Sequence, residues 1–129
     1  MLAPYYQETD VTVFWDSLNN WVSVHWRNKP SKETVKKGCE AILELLASKR
    51  ATLVFNDNSK ITGAWGGSCW VAEDWFPQMI DSGLKKFAWI QSATSTLSVI
   101  SAKRSATTIQ DGVIRLFSDE YEAEKWLRG

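Results

Sequence analysis

The chain has 129 residues, of which 44% are apolar, and this is enough to fold as one domain around a single hydrophobic core. Its 15 basic and 15 acidic residues cancel, so it lacks the basic field that nucleic-acid binding requires. No apolar run approaches a membrane span, and the first residues, MLAPYYQETD, lack the charged and apolar regions of a signal peptide. We therefore expect a cytoplasmic protein that neither binds nucleic acid nor spans a membrane.

The first half of the chain shows a strand pattern that changes to a helix pattern. VTVFW (11–15) and WVSVHWR (21–27) alternate as strands do and are joined by a short polar connection, which predicts a hairpin. The apolar spacing that follows predicts a helix over 30–49, with Ser31 as its N-cap. A glycine costs about 1 kcal/mol inside a helix, so Gly38 indicates close packing against a neighbour.

The second half continues this alternation of strands and helices. ATLVFND (51–57) is typical of a strand buried on both faces. A polar cluster and a loop then lead to a helix that starts at Ser68 and ends at Gly83, with Pro77 kinking it or marking a restart. The remaining patterns predict a strand, a helix, a strand and a terminal helix, at 85–91, 95–106, 112–119 and 120–129. The order ββαβαβαβα predicts a single-domain α/β fold with a mostly parallel sheet.

Four stretches of the chain resemble the STAS-like, or SpoIIAA-like, superfamily, which is the fold of the anti-sigma-factor antagonists. They are LVFND, GAW, WVAEDWFPQMIDSGLKKFAWI and LFSDEYEAEKWL, and the resemblance covers roughly residues 10–128. Within this superfamily the chain resembles a small, uncharacterised bacterial subgroup of STAS/SEC14-type proteins. The resemblance implies a singly wound sheet with helices largely on one face, and a non-catalytic role in binding a protein partner.

The resemblance also implies a switch region at 57–70. In the antagonists a serine after the central strand is phosphorylated and changes partner binding. NDNSKITG places Asp57 and Ser59 as that motif does, although Lys60 replaces its glycine. Ser68 is the second candidate, because a phosphate at a helix start faces the positive end of the helix dipole. The structural alternative is that Ser68 only caps the helix and Asp57 only orders the loop.

A ligand site is the alternative function. Ligands of parallel α/β sheets gather beyond the carboxyl ends of the strands, and we expect Asp57, Asn58, Trp65 and Trp70 at this rim. Five residues turn a helix by about 140°, so Trp70 does not share the apolar face of Trp75. Trp65 and Trp70 are therefore candidates for binding a small apolar ligand or a lipid, unless they only cover the core.

An enzymatic function is not expected. His25 is the only histidine, and one histidine on a strand does not by itself indicate a Ser–His–Asp or Cys–His arrangement. Cys39 and Cys69 together with this histidine are too few and too widely spaced for a zinc site, so we expect neither metal nor cofactor. The hairpin also predicts an exposed aromatic patch for homodimer contact on a solvated face, formed from some of Trp15, Trp21 and Trp26.

Overall fold

The computed structural model describes residues 1–92 and 112–129 of the chain. Its strands form one six-stranded sheet in the order of the sequence. They are β1 (Leu2–Gln7), β2 (Val11–Asp16), β3 (Trp21–Asn28), β4 (Leu53–Ile61), β5 (Lys86–Ile90) and β6 (Ile114–Phe117). β1, β2 and β3 pair antiparallel, and β3 to β6 pair parallel. The predicted α/β class, hairpin and singly wound sheet are confirmed.

The helical parts of the described chain follow the predicted order. They are α1 (Lys32–Lys49), α2 (Ser68–Asp81) and α3 (Glu120–Arg128). α2 has three consecutive parts: an α-helical turn at Ser68–Trp70, a π-helical turn at Val71–Trp75 and an α-helical segment at Phe76–Asp81. The N-cap prediction for α1 is confirmed, because the side chain of Ser31 accepts a hydrogen bond from the amide of Thr34 at 3.2 Å. The predicted helix at 95–106 lies outside the described residues. None of the described helices is both long and apolar enough to cross a membrane.

The two faces of the sheet carry different helices. α1 and α2 pack on the first face, over a core that includes Val22, Val54 and Phe87. α3 packs on the second face against β4, β5 and β6, where Trp21 and Phe55 lie beneath it. Among the described helices, none packs on the second face of β1 and β2. Clefts lie on this uncovered part of the sheet.

β1 is an edge strand that the sequence pattern does not predict. Five of its six residues are exposed, and its register with β2 shifts between Pro4 and Tyr6. An edge strand that buries neither face needs no alternation of apolar and polar residues, and proline is tolerated there. The usual signal for a strand is therefore absent from these residues.

β4 is longer than predicted, and this changes the interpretation of the polar cluster at its end. The strand continues to Ile61, which pairs with Asn28 of β3, so Asp57, Asn58 and Ser59 are strand residues and not part of a loop. Asparagine and aspartate are depleted in strands, and the sequence pattern therefore favoured a loop. Pairing with β3 and burial of Asn58 outweigh this local preference.

The predicted exposed aromatic patch on the hairpin is wrong. Trp21 and Trp26 retain only 2% and 6% of their accessible surface. Trp15 is half-buried, and the ammonium group of Lys49 lies 5.4 Å from its ring centroid. These indoles belong to the two cores of the protein, because Trp15 and Trp26 pack in the core of the first face and Trp21 packs in the core of the second face.

Candidate functional site

A small cavity lies between the first face of the sheet and the helices α1 and α2. Its volume is about 30 Å³, which is space for about two water-sized groups. Most of its wall is apolar or aromatic, formed by Trp26, Pro30, Val35, Cys39, Ile42, Ile61, Trp65, Val71, Trp75, Phe87 and Trp89. An apolar wall with few polar groups is typical of small-molecule sites.

Two buried carboxamides supply the polar part of the wall. Asn56 and Asn58 lie two residues apart on β4, so both side chains point to the first face. The indole N–H of Trp26 donates to Oδ1 of Asn56 at 2.8 Å. The Nδ2 atom of Asn56 then donates to Oδ1 of Asn58 at 3.1 Å. This chain of hydrogen bonds fixes the orientation of three side chains that border the cavity.

Two further indoles at the cavity have buried N–H groups without an acceptor. They are Nε1 of Trp65 and Nε1 of Trp89, and neither finds a hydrogen-bond partner in the part of the chain that the structure describes. Their rings lie close together, with centroids 6.0 Å apart and planes inclined by 42°. Trp75, by contrast, donates to the carbonyl of Cys39 at 2.8 Å. A buried unsatisfied donor costs about 1–3 kcal/mol, and both of these indoles line the cavity.

The loop before α2 places Trp65 over the sheet. Gly66 makes this possible, because a Cβ atom there would lie 2.7 Å from the backbone nitrogen of Lys32. The amide of Gly66 also donates to the carbonyl of Pro30 at 3.2 Å. Gly67 follows with a φ of 82°, a conformation that favours glycine. The two glycines thus hold the loop against the start of α1 and direct Trp65 into the core, where it is buried.

The π-helical turn of α2 supplies two other wall residues, Val71 and Trp75. The amide of Phe76 donates to the carbonyl of Val71, a separation of five residues. Pro77 has no N–H to donate, so the regular pattern is interrupted and helical structure restarts over Phe76–Asp81. The predicted restart at Pro77 is confirmed, as is the end of the helix before Gly83, which has a φ of 109°.

The structure separates the four residues predicted at the rim. Asn58 and Trp65 line the cavity. Trp70 does not; it packs at the outside of the core, half-buried, with the ammonium group of Lys36 at 5.5 Å from its ring centroid. Asp57 lies on the second face of the sheet. Asn56 and Trp89 were not among the candidate site residues, although two asparagines at alternate positions of one strand are a signal for a buried polar pair.

Asp57 is held in place by its neighbours on the second face. Its Oδ2 lies 3.4 Å from Nδ1 of His25, and its Oδ1 accepts the amide of Ser59 at 2.8 Å. Burial opposes ionisation of this carboxyl group, but the hydrogen bonds from His25 and Ser59 outweigh it and lower its pKa below the ordinary value. Asp57 is therefore a carboxylate at neutral pH.

The two candidate phosphorylation sites have different structural surroundings. Ser59 is a half-buried residue within β4, next to Asp57. Ser68 is the first residue of α2, whereas Gly67 occupies the N-cap position without a side-chain hydrogen bond. The predicted capping role of Ser68 is therefore wrong, because the helix begins one residue earlier than a serine cap would require.

Comparison with known proteins supports the fold. Neither a family model nor a curated protein matches the chain. A solved structure does: an uncharacterised protein of the DUF3478 family from Shewanella loihica PV-4, which has a SpoIIAA-like fold. The TM-score is 0.50 at 15% identity, over 98% of this chain and 92% of the other.

The chain has the SpoIIAA-like fold. This confirms the architecture that the sequence resemblance implies, with the strands of the parallel half in sequential order. The similar protein is itself uncharacterised, so the likeness concerns the fold, and the function has to be argued from the cavity and its side chains.

Proposed function

We propose that this protein binds a small, neutral ligand in the cavity between α1, α2 and the sheet. The observation that carries the proposal is the pair of buried indole N–H groups, on Trp65 and Trp89, that lack an acceptor among the described residues. An acceptor oxygen on the ligand would satisfy one or both donors. The remaining atoms of the ligand would contact aromatic and aliphatic side chains.

The chemistry of the wall favours a neutral acceptor over an anion. No charged side chain is among the described residues that line the cavity. Transfer of an unpaired carboxylate into such surroundings is strongly unfavourable, whereas a ketone, ether or ester oxygen needs only a hydrogen-bond donor. The ligand class is therefore a small apolar molecule that carries such an oxygen.

The size of the cavity indicates that Trp65 moves when a larger ligand enters. The volume of about 30 Å³ accommodates a functional group but not a whole ring. Trp65 lies between the two regular elements β4 and α2, on a segment of six residues, 62–67. Displacement of its indole would enlarge the cavity without a change in the sheet.

Thermal denaturation with matched ligands tests this function. Ketones of increasing size, from acetone to cyclohexanone, are compared with hydrocarbons in which a methylene group replaces the oxygen. Both classes bury the same apolar surface, but only the ketones accept a hydrogen bond. A ligand present at 100 times its Kd stabilises the folded state by about 2.7 kcal/mol, or a rise in melting temperature of about 10 °C. We expect such a rise for a ketone and a smaller one for its partner hydrocarbon.

Phenylalanine variants supply the controls. Trp65→Phe and Trp89→Phe keep an aromatic ring but remove the donor, so the difference between ketone and hydrocarbon should disappear. Trp126→Phe, on the half-buried outer part of α3, should leave the difference unchanged. Equal stabilisation by both ligand classes in the unaltered protein would contradict a role for the indole donors.

A protein partner at the outer side of the same region is the second candidate function. Trp70 supports it, because this residue is only half-buried and lies beside the exposed Cys69 and the helix start at Ser68. Phosphorylation at Ser68 would add negative charge beside Trp70, and phosphorylation at Ser59 would add it on β4 next to Asp57. Mass spectrometry of the protein from its own host tests whether phosphorylation controls such binding: a phosphate mapped to either serine supports a switch, and an unmodified chain under all growth conditions contradicts the switch and leaves constitutive binding of a partner.

A further inference from the structure

Three polar side chains contact one another in a row on the second face of the sheet, and none of them lines the cavity. Ser23 and His25 lie two residues apart on β3, so both point to this face. Asp57 is the partner of His25 in the parallel pairing of β3 with β4. Oγ of Ser23 lies 3.3 Å from Nε2 of His25, and Nδ1 of His25 lies 3.4 Å from Oδ2 of Asp57. Hydroxyl, imidazole and carboxylate are thus connected in that order.

The imidazole ring is held in its orientation from several sides. Phe14 meets it edge to face, with centroids 5.6 Å apart, and Phe55 lies at 6.3 Å. The amide of Ser59 occupies Oδ1 of Asp57, which leaves Oδ2 for His25. In the tautomer that carries its proton on Nδ1, the imidazole donates to the carboxylate of Asp57, and Nε2 faces the hydroxyl group of Ser23 as an acceptor. This is the arrangement in which a base, oriented by a third group, activates a nucleophile.

Two clefts give access to these side chains. Ser23 is buried by its neighbours, but it lines a cleft of about 160 Å³ that also contacts α3 through Glu120 and Glu124. A second cleft, of about 290 Å³, contains Asp57. His25 borders both clefts, so a molecule can reach the hydroxyl group and extend past the imidazole.

We propose that Ser23 is an acyl-accepting nucleophile, with His25 as its general base and Asp57 as the residue that positions the base. In the reaction the Ser23 oxygen forms a bond to the carbonyl carbon of an ester, and the bond from that carbon to the alcohol oxygen breaks. The hydroxyl proton passes to Nε2 of His25 and from there to the departing oxygen. Water then repeats the sequence on the acyl-serine, which yields the free acid and restores Ser23.

The larger cleft indicates which esters fit. Leu2 and Phe14 form its apolar part, and the positive charges of Arg27 and Lys60 outnumber the single negative charge of Asp57. Arg27 donates only to neutral oxygens in the described structure, including the carbonyl groups of Glu8 and Thr9, and no described carboxylate forms an ion pair with either cation. A short acyl ester whose alcohol part carries a negative charge would complement this cleft.

The expected reaction is slow. The backbone amides of β3 around Ser23 take part in pairing with β2 and β4, so they are engaged when the oxyanion forms. Loss of one oxyanion donor lowers rates about 10²- to 10³-fold in enzymes that use them. Acylation of Ser23, followed site by site, is therefore a more sensitive measure than turnover of ester.

The test is acetylation by p-nitrophenyl acetate, mapped by mass spectrometry of peptides at increasing times. We expect Ser23 to be acetylated faster than the exposed Ser82, which serves as an internal reference in the same sample. Equal or slower acetylation of Ser23 would overturn the proposal without any variant. His25→Gln should lower the rate at Ser23 about 100-fold or more and leave Ser82 unchanged.

Asp57→Asn tests whether Asp57 positions the imidazole of His25 for the reaction or only stabilises the fold. This variant keeps the shape of the side chain but removes the charge that stabilises a protonated imidazole. The rate at Ser23 should fall, and the midpoint of its pH profile should move to lower pH. A fall in rate with an unchanged midpoint would contradict the role of Asp57. Circular dichroism and the melting temperature show whether each variant is folded, and the reference rate at Ser82 corrects for differences in reagent activity between samples.

The anionic part of the substrate is tested with a matched pair of esters. 4-Acetoxybenzoate carries a carboxylate, and its methyl ester does not. We expect faster acetylation of Ser23 by the anion, and loss of this preference in Lys60→Gln. Equal rates with both esters would overturn the assignment of the larger cleft.

Discussion

Replacement of Gly38 by alanine tests whether the wall of the cavity is as rigid as its hydrogen bonds indicate. A Cβ atom at this position would lie 2.7 Å from Cη2 of Trp26 and 3.2 Å from Cζ3. Trp26 cannot easily withdraw, because it is buried and its indole N–H donates to Asn56 at 2.8 Å. The predicted close packing of Gly38 against a neighbour is thereby confirmed.

Two opposing effects determine the magnitude for Gly38→Ala. Alanine is favoured over glycine inside a helix by about 1 kcal/mol. Overpacking against a fixed side chain costs about 1–3 kcal/mol. We therefore expect a net loss of about 1 kcal/mol in the free energy of unfolding. Urea denaturation followed by circular dichroism should show a lower midpoint with an unchanged slope.

Trp26→Phe provides the matched background, because phenylalanine lacks the outer atoms of the indole that meet Gly38. In this background Gly38→Ala should be neutral or stabilising, since only the helix preference remains. The coupling between the two substitutions should be about 1–3 kcal/mol. Stabilisation by Gly38→Ala in the unaltered protein, or the same change in both backgrounds, would refute the reasoning.

Three further predictions follow from other contacts. Gly66→Ala should lower the free energy of unfolding by about 1–3 kcal/mol in urea denaturation, because its Cβ would meet the backbone of Lys32 at 2.7 Å. The lowered pKa of Asp57 contributes stability that is present above its ordinary value of 3.8 and is lost as pH falls through the folded-state pKa. Asp57→Asn should therefore reduce the acid dependence of the melting temperature, and an unchanged dependence would contradict the stabilisation of the Asp57 carboxylate by His25 and Ser59. Burial raises the pKa of the Cys39 thiol well above its ordinary value, so a thiol reagent should modify the exposed Cys69 first and Cys39 only on unfolding.

Much of the fold can be predicted from the sequence because its elements have regular apolar periods. The hairpin, α1, β5 and the terminal helix each bury one face or two, and the period of burial appears directly in the order of residues. β1 has no such period, because it is an exposed edge strand. The polar end of β4 gives no strand signal, because its residues are stabilised by partners from elsewhere in the chain.

The candidate sites depend on contacts that no local pattern contains. Ser23 and His25 could be placed on one face of a strand, but Asp57 joins them only through the register of β3 with β4. Trp65 is directed into the core by glycines that pack against the start of α1. Trp89 can be recognised as a candidate site residue only once its contact with Trp65 is known. Such relations between distant segments need the tertiary structure.

The central claim, that Trp65 and Trp89 offer their indole N–H groups to a ligand, is tested most directly by NMR. The chain has eight tryptophans, and their indole N–H signals form a separate region of a proton–nitrogen correlation spectrum. Trp65→Phe and Trp89→Phe assign the two relevant signals. Titration with the best ketone should shift these two signals downfield, as hydrogen bonding requires, and change the other six far less. If the two signals stay in place while the ketone binds, or if none of the eight responds to any ketone, the cavity is not the ligand site that we propose.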